Sequence, residues 1–198
     1  MPKISLTDLV DVIAKAGGPK ATKVSQIKHR DEYHPATDFY KQFRDGLVAL
    51  HKSGQGKASL SSVLAGVSER NRLNNYPSAI AGYKKWWGKK ALEWFQPPSA
   101  TYTASGVEVS INPELGLKVN GVPYVIKLYL KSEKLTKNKA DLIVGLLSEA
   151  LGAKVPGARM AVLDVRQGKF YELGAGSSVL VPLVDAELAY IASLWPKI

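Results

Sequence analysis

Residues 113–130 read PELGLKVNGVPYVIKLYL, and this stretch decides the fold of the second half of the chain. Leu115, Leu117 and Val119 alternate with Gly116 and Lys118, Asn120-Gly121 interrupts, and residues 122–130 are apolar except for Lys127. Asn-Gly between two such segments signals a two-residue hairpin turn, because both central residues of that turn need positive φ. The turn fixes the register, so Val119 faces Val122, Leu117 faces Tyr124, Leu115 faces Ile126 and Glu114 faces Lys127. Side chains alternate across a strand. Glu114, Gly116, Lys118, Val125 and Lys127 therefore share one face, and Leu115, Leu117, Tyr124, Ile126 and Leu128 the other. With one charge in its length, the second strand reads as a central strand covered on both faces, where an unpaired ammonium would be costly. The ordinary role for Glu114 beside Lys127 is a cross-strand ion pair.

Upstream of the hairpin, Val107, Val109 and Ile111 alternate with Glu108 and Ser110, predicting another strand. Downstream, Ala140, Ile143, Val144, Leu147 and Leu151 mark a helix from about Thr136 to Leu151. Arg159 to Val165 and Lys169 to Leu173 read as strands joined at Gln167-Gly168, followed by a short strand at Val179 to Val181 and a helix from Asp185 to Trp195.

Helices are predicted to dominate the first half through about residue 95. Ser5 caps a helix with Leu6, Leu9, Val10 and Ile13 on one face, ended by Gly17-Gly18-Pro19. Val24 and Ile27 follow among basic residues, an arrangement that also fits a helix-turn-helix. After a break at Tyr33-His34-Pro35 comes a third helix capped at Thr37, carrying Phe39, Phe43, Leu47 and Leu50 and ending near Gly54. A fourth rests on Leu60, Leu64 and Val67, and a fifth on Ile80, Tyr83 and Trp87 after Pro77. Arg70, Asn71, Arg72, Asn74 and Asn75 read as a polar loop between these two. Pro97-Pro98-Ser99 marks the boundary, dividing the chain into a basic helical region, 1–98, and an α/β core with a C-terminal helix, 99–198.

The 198 residues carry a net charge of +10, and 16 of the 27 Lys and Arg fall in residues 1–100. Such an excess favours a polyanionic partner, since neutralising phosphates releases counterions. With no cysteine and three histidines, disulfides, thiolate metal sites and zinc chemistry are not expected. The chain shows no apolar run long enough for a bilayer, and Asp8, Asp11 and Lys15 interrupt the first helix where a signal peptide would stay apolar, so a cytoplasmic location and no membrane partner are expected.

Pro113-Glu114 opening one strand and Val125-Ile126-Lys127 on the next, in the order helix, three-stranded meander, helix, strand, resemble the PD-(D/E)XK, or restriction-endonuclease-like, nuclease superfamily across roughly residues 90–173. The resemblance implies an α+β fold: an N-terminal helical region followed by an αβββαβ mixed-sheet core. It also implies Mg²⁺-dependent phosphodiester hydrolysis, with Glu114 as the first metal-binding acid and Lys127 as the lysine that helps activate the attacking water. The family's second acid falls on position 125, which here is valine. Among Glu93, Glu108 and Asp164, Asp164 is the residue taken to join Glu114 at the metal.

Two further clusters suit phosphate contact. Lys84, Lys85, Lys89 and Lys90 flank Trp86 and Trp87, combining backbone neutralisation with a ring for base stacking at Trp86, while Trp87 continues a core face. Arg70 and Arg72 offer guanidiniums from the polar loop, and Lys131 extends a basic rim beyond Lys127. The expected function is nucleic-acid binding, DNA favoured, on a nuclease-like core that is weak or inactive as a metal-dependent enzyme. The alternative is a nonenzymatic scaffold or accessory protein that binds a protein partner through its helical half. A Ser-His-Asp hydrolase is disfavoured because no GxSxG elbow occurs and all three histidines lie in the first half.

Overall fold

The structure, a computed structural model, describes residues 1–31, 38–64, 67, 69–173 and 180–198. It is an α+β fold whose strands form two sheets. The larger has the order β2(Leu92–Phe95), β5(Leu115–Val119), β6(Val122–Tyr129), β7(Arg159–Asp164), β8(Lys169–Glu172). The smaller has β1(Lys3–Ser5), β4(Val107–Ile111) and β3(Ala100–Ala104), with β1 parallel to β4 and β3 antiparallel to it.

Asn120 and Gly121 adopt φ of 50° and 85°, and β5 pairs with β6 in the expected register, Val119 with Val122 through Leu115 with Ile126. β6 and β7 run parallel, Tyr124 with Arg159 through Tyr129 with Asp164, and the crossover between them is α5(Lys137–Leu151), capped by Thr136. β6 is central, as its composition predicts, and each face of the large sheet carries its own apolar layer. On one face Val125, Met160 and Val162 pack with α5, with α1(Leu6–Ile13), with α6(Leu180–Leu194) and with the small sheet. On the other, Leu115, Leu117, Ile126, Ala161 and Leu163 pack against α3(Lys41–Lys52), a 3-10 turn at Lys57–Leu64 and α4(Arg70–Trp87).

The strand beside β5 differs from the expected one. Val107–Ile111 was predicted to start the meander, yet it belongs to the small sheet, because Ser105-Gly106 at φ 51° and 74° turns it back onto β3 and Lys3–Ser5 occupies its other edge. The free edge of β5 is taken by β2, which pairs Leu92 with Val119 through Phe95 with Gly116. The run α4, β2, β5, β6, α5, β7 is thus helix, three antiparallel strands, helix and a strand parallel to the third, with the β3–β4 hairpin inserted between β2 and β5. Residues 1–98 accordingly contribute a strand to each sheet and are not wholly helical. Gly116 makes the β2 crossing possible, since a Cβ there would stand 2.4 Å from the Phe95 carbonyl oxygen.

Several helices also depart from expectation. Ser5 caps α1 in a capping box with Asp8, as predicted, but Gly17-Gly18-Pro19 opens α2(Gly17–Lys28) instead of merely ending α1; Pro19 sits in the first turn, where its missing N–H has no intrahelical partner to lose. Arg70–Asn75 is not a loop but the start of α4, which runs through Pro77; the burial of Tyr76 and Ala79 on one side outweighs the proline. The predicted fourth helix is the 3-10 turn at Lys57–Leu64. Leu180 and Val181, predicted to end a strand, begin α6. Thr37, the expected cap of α3, and residues 33–35 lie outside the described residues, as does Val179. Among the described residues no helix is long and apolar enough to cross a membrane.

Candidate functional site

Pro113 is buried immediately before β5, and the register beyond it sets Glu114 against Lys127 at the open end of the β5–β6 hairpin. The Lys127 ammonium donates to Glu114 Oε1 at 2.6 Å and to the Asn112 carbonyl at 2.9 Å, while the other carboxylate oxygen, Oε2, accepts from the Leu128 backbone N–H at 2.7 Å. The two side chains are 13% and 16% exposed. Val125, two residues back on the same face, is fully buried in the apolar layer against α5. The pair is therefore internally satisfied: each carboxylate oxygen has a donor, and the ammonium has two acceptors.

Asp164 is also almost fully buried and faces the same side of the sheet, one strand over and two residues farther along than Val162, the partner of Lys127. Its Oδ2 accepts from the Leu135 N–H at 3.0 Å and its Oδ1 from the Gln167 N–H at 3.2 Å, tying the β6–α5 connection to the β7–β8 turn. Glu108 pairs with Lys3 at 3.3 Å and Glu93 with Lys118 at 3.5 Å. Among the described residues no three or more His, Cys, Asp or Glu side chains are grouped so as to hold a metal ion. The donor set beside Glu114 does not fit Mg²⁺: it offers one carboxylate already bonded to an ammonium, with an apolar side chain where a second acid would stand.

Glu114 and Lys127 lie in the wall of a cleft of about 1290 Å³ between the β4–β5 connection, α1 and α3. Sequence reasoning missed the other charged groups here. Arg30 forms a fork to Asp8, at 2.7 and 3.1 Å, and Arg44 pairs with Asp38. Burial is the largest single influence and would raise the Asp8 carboxyl, but hydrogen bonds from Arg30 and Ser5 together with the charges of Arg30 and Lys23 outweigh it and hold the group below its ordinary range. Arg30, Arg44 and Lys127 each carry a carboxylate of the protein itself. Asp8 and Arg30 are 22 residues apart, and no local spacing announces their contact.

The residues expected to touch nucleic acid are divided. Lys84 and Lys85 lie in the last turn of α4, and Lys89 and Lys90 in the turn leading to β2. This corner adjoins the Asn120-Gly121 turn, where Asn120 N–H donates to the Ala91 carbonyl at 2.9 Å. It is at the opposite end of β5 from Glu114, roughly 17 Å away for five residues of strand. Trp86, expected to present a stacking face, is 4% exposed and stacks on Phe170 with ring centroids 5.6 Å apart; the α4 face that buries Tyr83 and Trp87 takes it into the core as well. Lys90 donates to the Trp86 carbonyl, and Lys57 to that of Gly88 at 2.6 Å, both closing the carbonyl end of α4. Lys84, Lys85 and Lys89 are exposed. Arg70 is exposed at the start of α4, while Arg72 is mostly covered, paired with Glu69 at 3.1 Å and reaching Gln42 of α3. Lys131 pairs with Asp11, which also meets Lys23 at 3.5 Å.

A buried pair that the sequence did not single out lies under α4: His51 Nε2 and the Tyr83 hydroxyl share a 2.7 Å hydrogen bond, with the imidazole 4.9 Å from the Trp87 ring. Burial pushes His51 down to about 4 and Tyr83 well above its ordinary value.

No protein-family model matches the chain, and no curated protein matches it significantly.

Proposed function

We propose that the chain is a cytoplasmic nucleic-acid-binding protein on a nuclease-like scaffold and that it does not hydrolyse phosphodiesters through Mg²⁺. The observation that carries the binding reading is the exposed lysine corner at the end of α4, set within a chain of net charge +10. The scaffold reading is supported by the order α4, β2, β5, β6, α5, β7, with β7 parallel to β6, and by the placement of Glu114 opposite Lys127 at one end of that sheet. The inactive reading is supported by the same pair. Glu114 stands without a second acid at Val125, and Asp164 is spent on backbone donors of two loops. Fold alone does not assign activity, so both halves of the proposal rest on side chains.

Fluorescence anisotropy with a labelled duplex DNA at 50 and 200 mM salt tests the first half. Binding that weakens steeply with salt is expected, and no binding at 50 mM, or an affinity indifferent to salt, overturns it. Incubation of the same duplex with Mg²⁺ or Mn²⁺ tests the second half. Intact DNA is expected; cleavage that disappears in Glu114→Gln would assign the pair to catalysis.

A further inference from the structure

Resting on that reading, we infer that the α4–β2 corner recognises the phosphate backbone alone, through Lys84, Lys85 and Lys89, and that it does so without regard to base sequence. The lysines of this corner fall into two groups. Lys57 and Lys90 are partly covered, and their ammonium groups donate to the Gly88 and Trp86 carbonyls, so they serve the helix terminus. Lys84, Lys85 and Lys89 are exposed, and none of the three has a hydrogen bond or ion pair among the described residues. The acid on the neighbouring strand, Glu93, is engaged with Lys118.

Base reading or stacking needs a presented ring or a free polar fork, and among the described residues the corner presents neither: the exposed Asn120 spends its side-chain oxygen on the Ala91 N–H at 3.0 Å. Trp86 and Trp87 are buried, Trp86 against Phe170, and Trp94 of β2 has the Lys52 ammonium above its ring at 5.8 Å. The same emptiness argues for nucleic acid over a protein partner, since protein interfaces are anchored by buried apolar or aromatic side chains. Among the described residues the exposed large apolar side chains, Met1, Leu73 and Leu183, lie elsewhere; on α4 itself Leu73 is eleven residues from Lys84, roughly 16 Å along the helix. The cleft at Glu114 is a poorer polyanion site, because Arg30, Arg44 and Lys127 are already matched by carboxylates there.

The test is the salt slope of binding, measured by anisotropy on a 20-base-pair duplex of arbitrary sequence. Three phosphate contacts give a slope of log K against log salt of about −2.7, or roughly 40-fold weaker binding from 50 to 200 mM. The K84A/K85A/K89A variant loses that slope, K84R/K85R/K89R keeps it, and K57A/K90A keeps it while lowering the melting temperature. A second duplex of unrelated sequence, and a single strand compared with its abasic counterpart, each bind within about threefold of one another. An alanine triple variant that binds duplex with unchanged slope overturns the inference while leaving nucleic-acid binding intact, whereas wild-type protein that binds no nucleic acid overturns both. A more than tenfold preference for the base-bearing strand over the abasic one restores a stacking platform and overturns the backbone reading. Poly-glutamate binding that is lost in the alanine triple variant while duplex binding persists reassigns the corner to an acidic protein segment.

Discussion

The Lys127 ammonium stands 2.6 Å from one oxygen of Glu114, and the Leu128 backbone N–H holds the other at 2.7 Å, so the carboxylate bridges a side chain and the strand that carries it. Removing Glu114 leaves the Leu128 N–H unpaired and the nearly covered Lys127 ammonium with the Asn112 carbonyl alone; removing Lys127 leaves two acceptors, Glu114 Oε1 and the Asn112 carbonyl, of which the second is exposed and open to water. Glu114→Ala should therefore cost more than Lys127→Met, about 2–3 against about 1 kcal/mol in urea unfolding. The reverse order, or two neutral substitutions, would mean that the pair is not a fastener of the hairpin.

His51 gives the fold a dependence on acid. Its folded value near 4 lies below the ordinary 6.5, so between these values the unfolded chain binds a proton that the folded chain refuses. Stability is complete above about pH 6.5 and falls as pH drops towards 4, by roughly 2 kcal/mol between pH 7 and 4.5. Urea melts of the wild type and of His51→Phe at the two pH values measure this, and the variant's loss should be smaller by that amount. An equal loss in both proteins would place the acid sensitivity elsewhere.

Glycine substitutions separate contact from conformation. Gly116→Ala drives a methyl into the Phe95 carbonyl and ring and should cost about 1–3 kcal/mol as β2 moves off β5. Gly152 has ordinary helical φ and open space around it, and Gly152→Ala should be neutral or stabilising by up to about 1 kcal/mol. Thermal melts of the two variants decide the matter, and similar melting temperatures would contradict the close approach of the two strands.

Val125→Asp supplies an acid at the position where the nuclease resemblance wants one. Because Val125 is fully buried among aliphatic residues of α5 and β7, the expected result is a loss of more than about 2 kcal/mol, with no Mg²⁺-dependent cleavage. A folded variant that cuts DNA with Mg²⁺ would show that the layer opens to water and metal.

The parts of this architecture that were legible in the chain are those specified by neighbours in sequence. Asn120-Gly121 alone determined that Glu114 meets Lys127, and the near absence of charge in residues 122–130 announced a strand with a core on each side. The α1 capping box at Ser5 and Asp8 was equally local. What escaped was settled by competition between distant edges. β4 alternates as a meander strand should, but Lys3–Ser5 and Ala100–Ala104 claim both of its edges, so β2 fills the place beside β5. Leu92–Phe95 is short and directly follows a helix, leaving little of a period to read. Trp86 was misjudged because two adjacent tryptophans cannot both lie on a narrow helical stripe; α4 buries a face wide enough for both, with Phe170 beyond it.

The pairing of Lys3–Ser5 with Glu108–Ser110 bears on how the molecule assembles during synthesis. β1 has no partner until about a hundred more residues have emerged from the ribosome, and at common translation rates that is a wait of roughly 5–20 seconds. The small sheet therefore cannot close before Ser110 is in place, and the layer that covers α3 and α4 closes later still, because it includes Ala161 and Leu163 of β7.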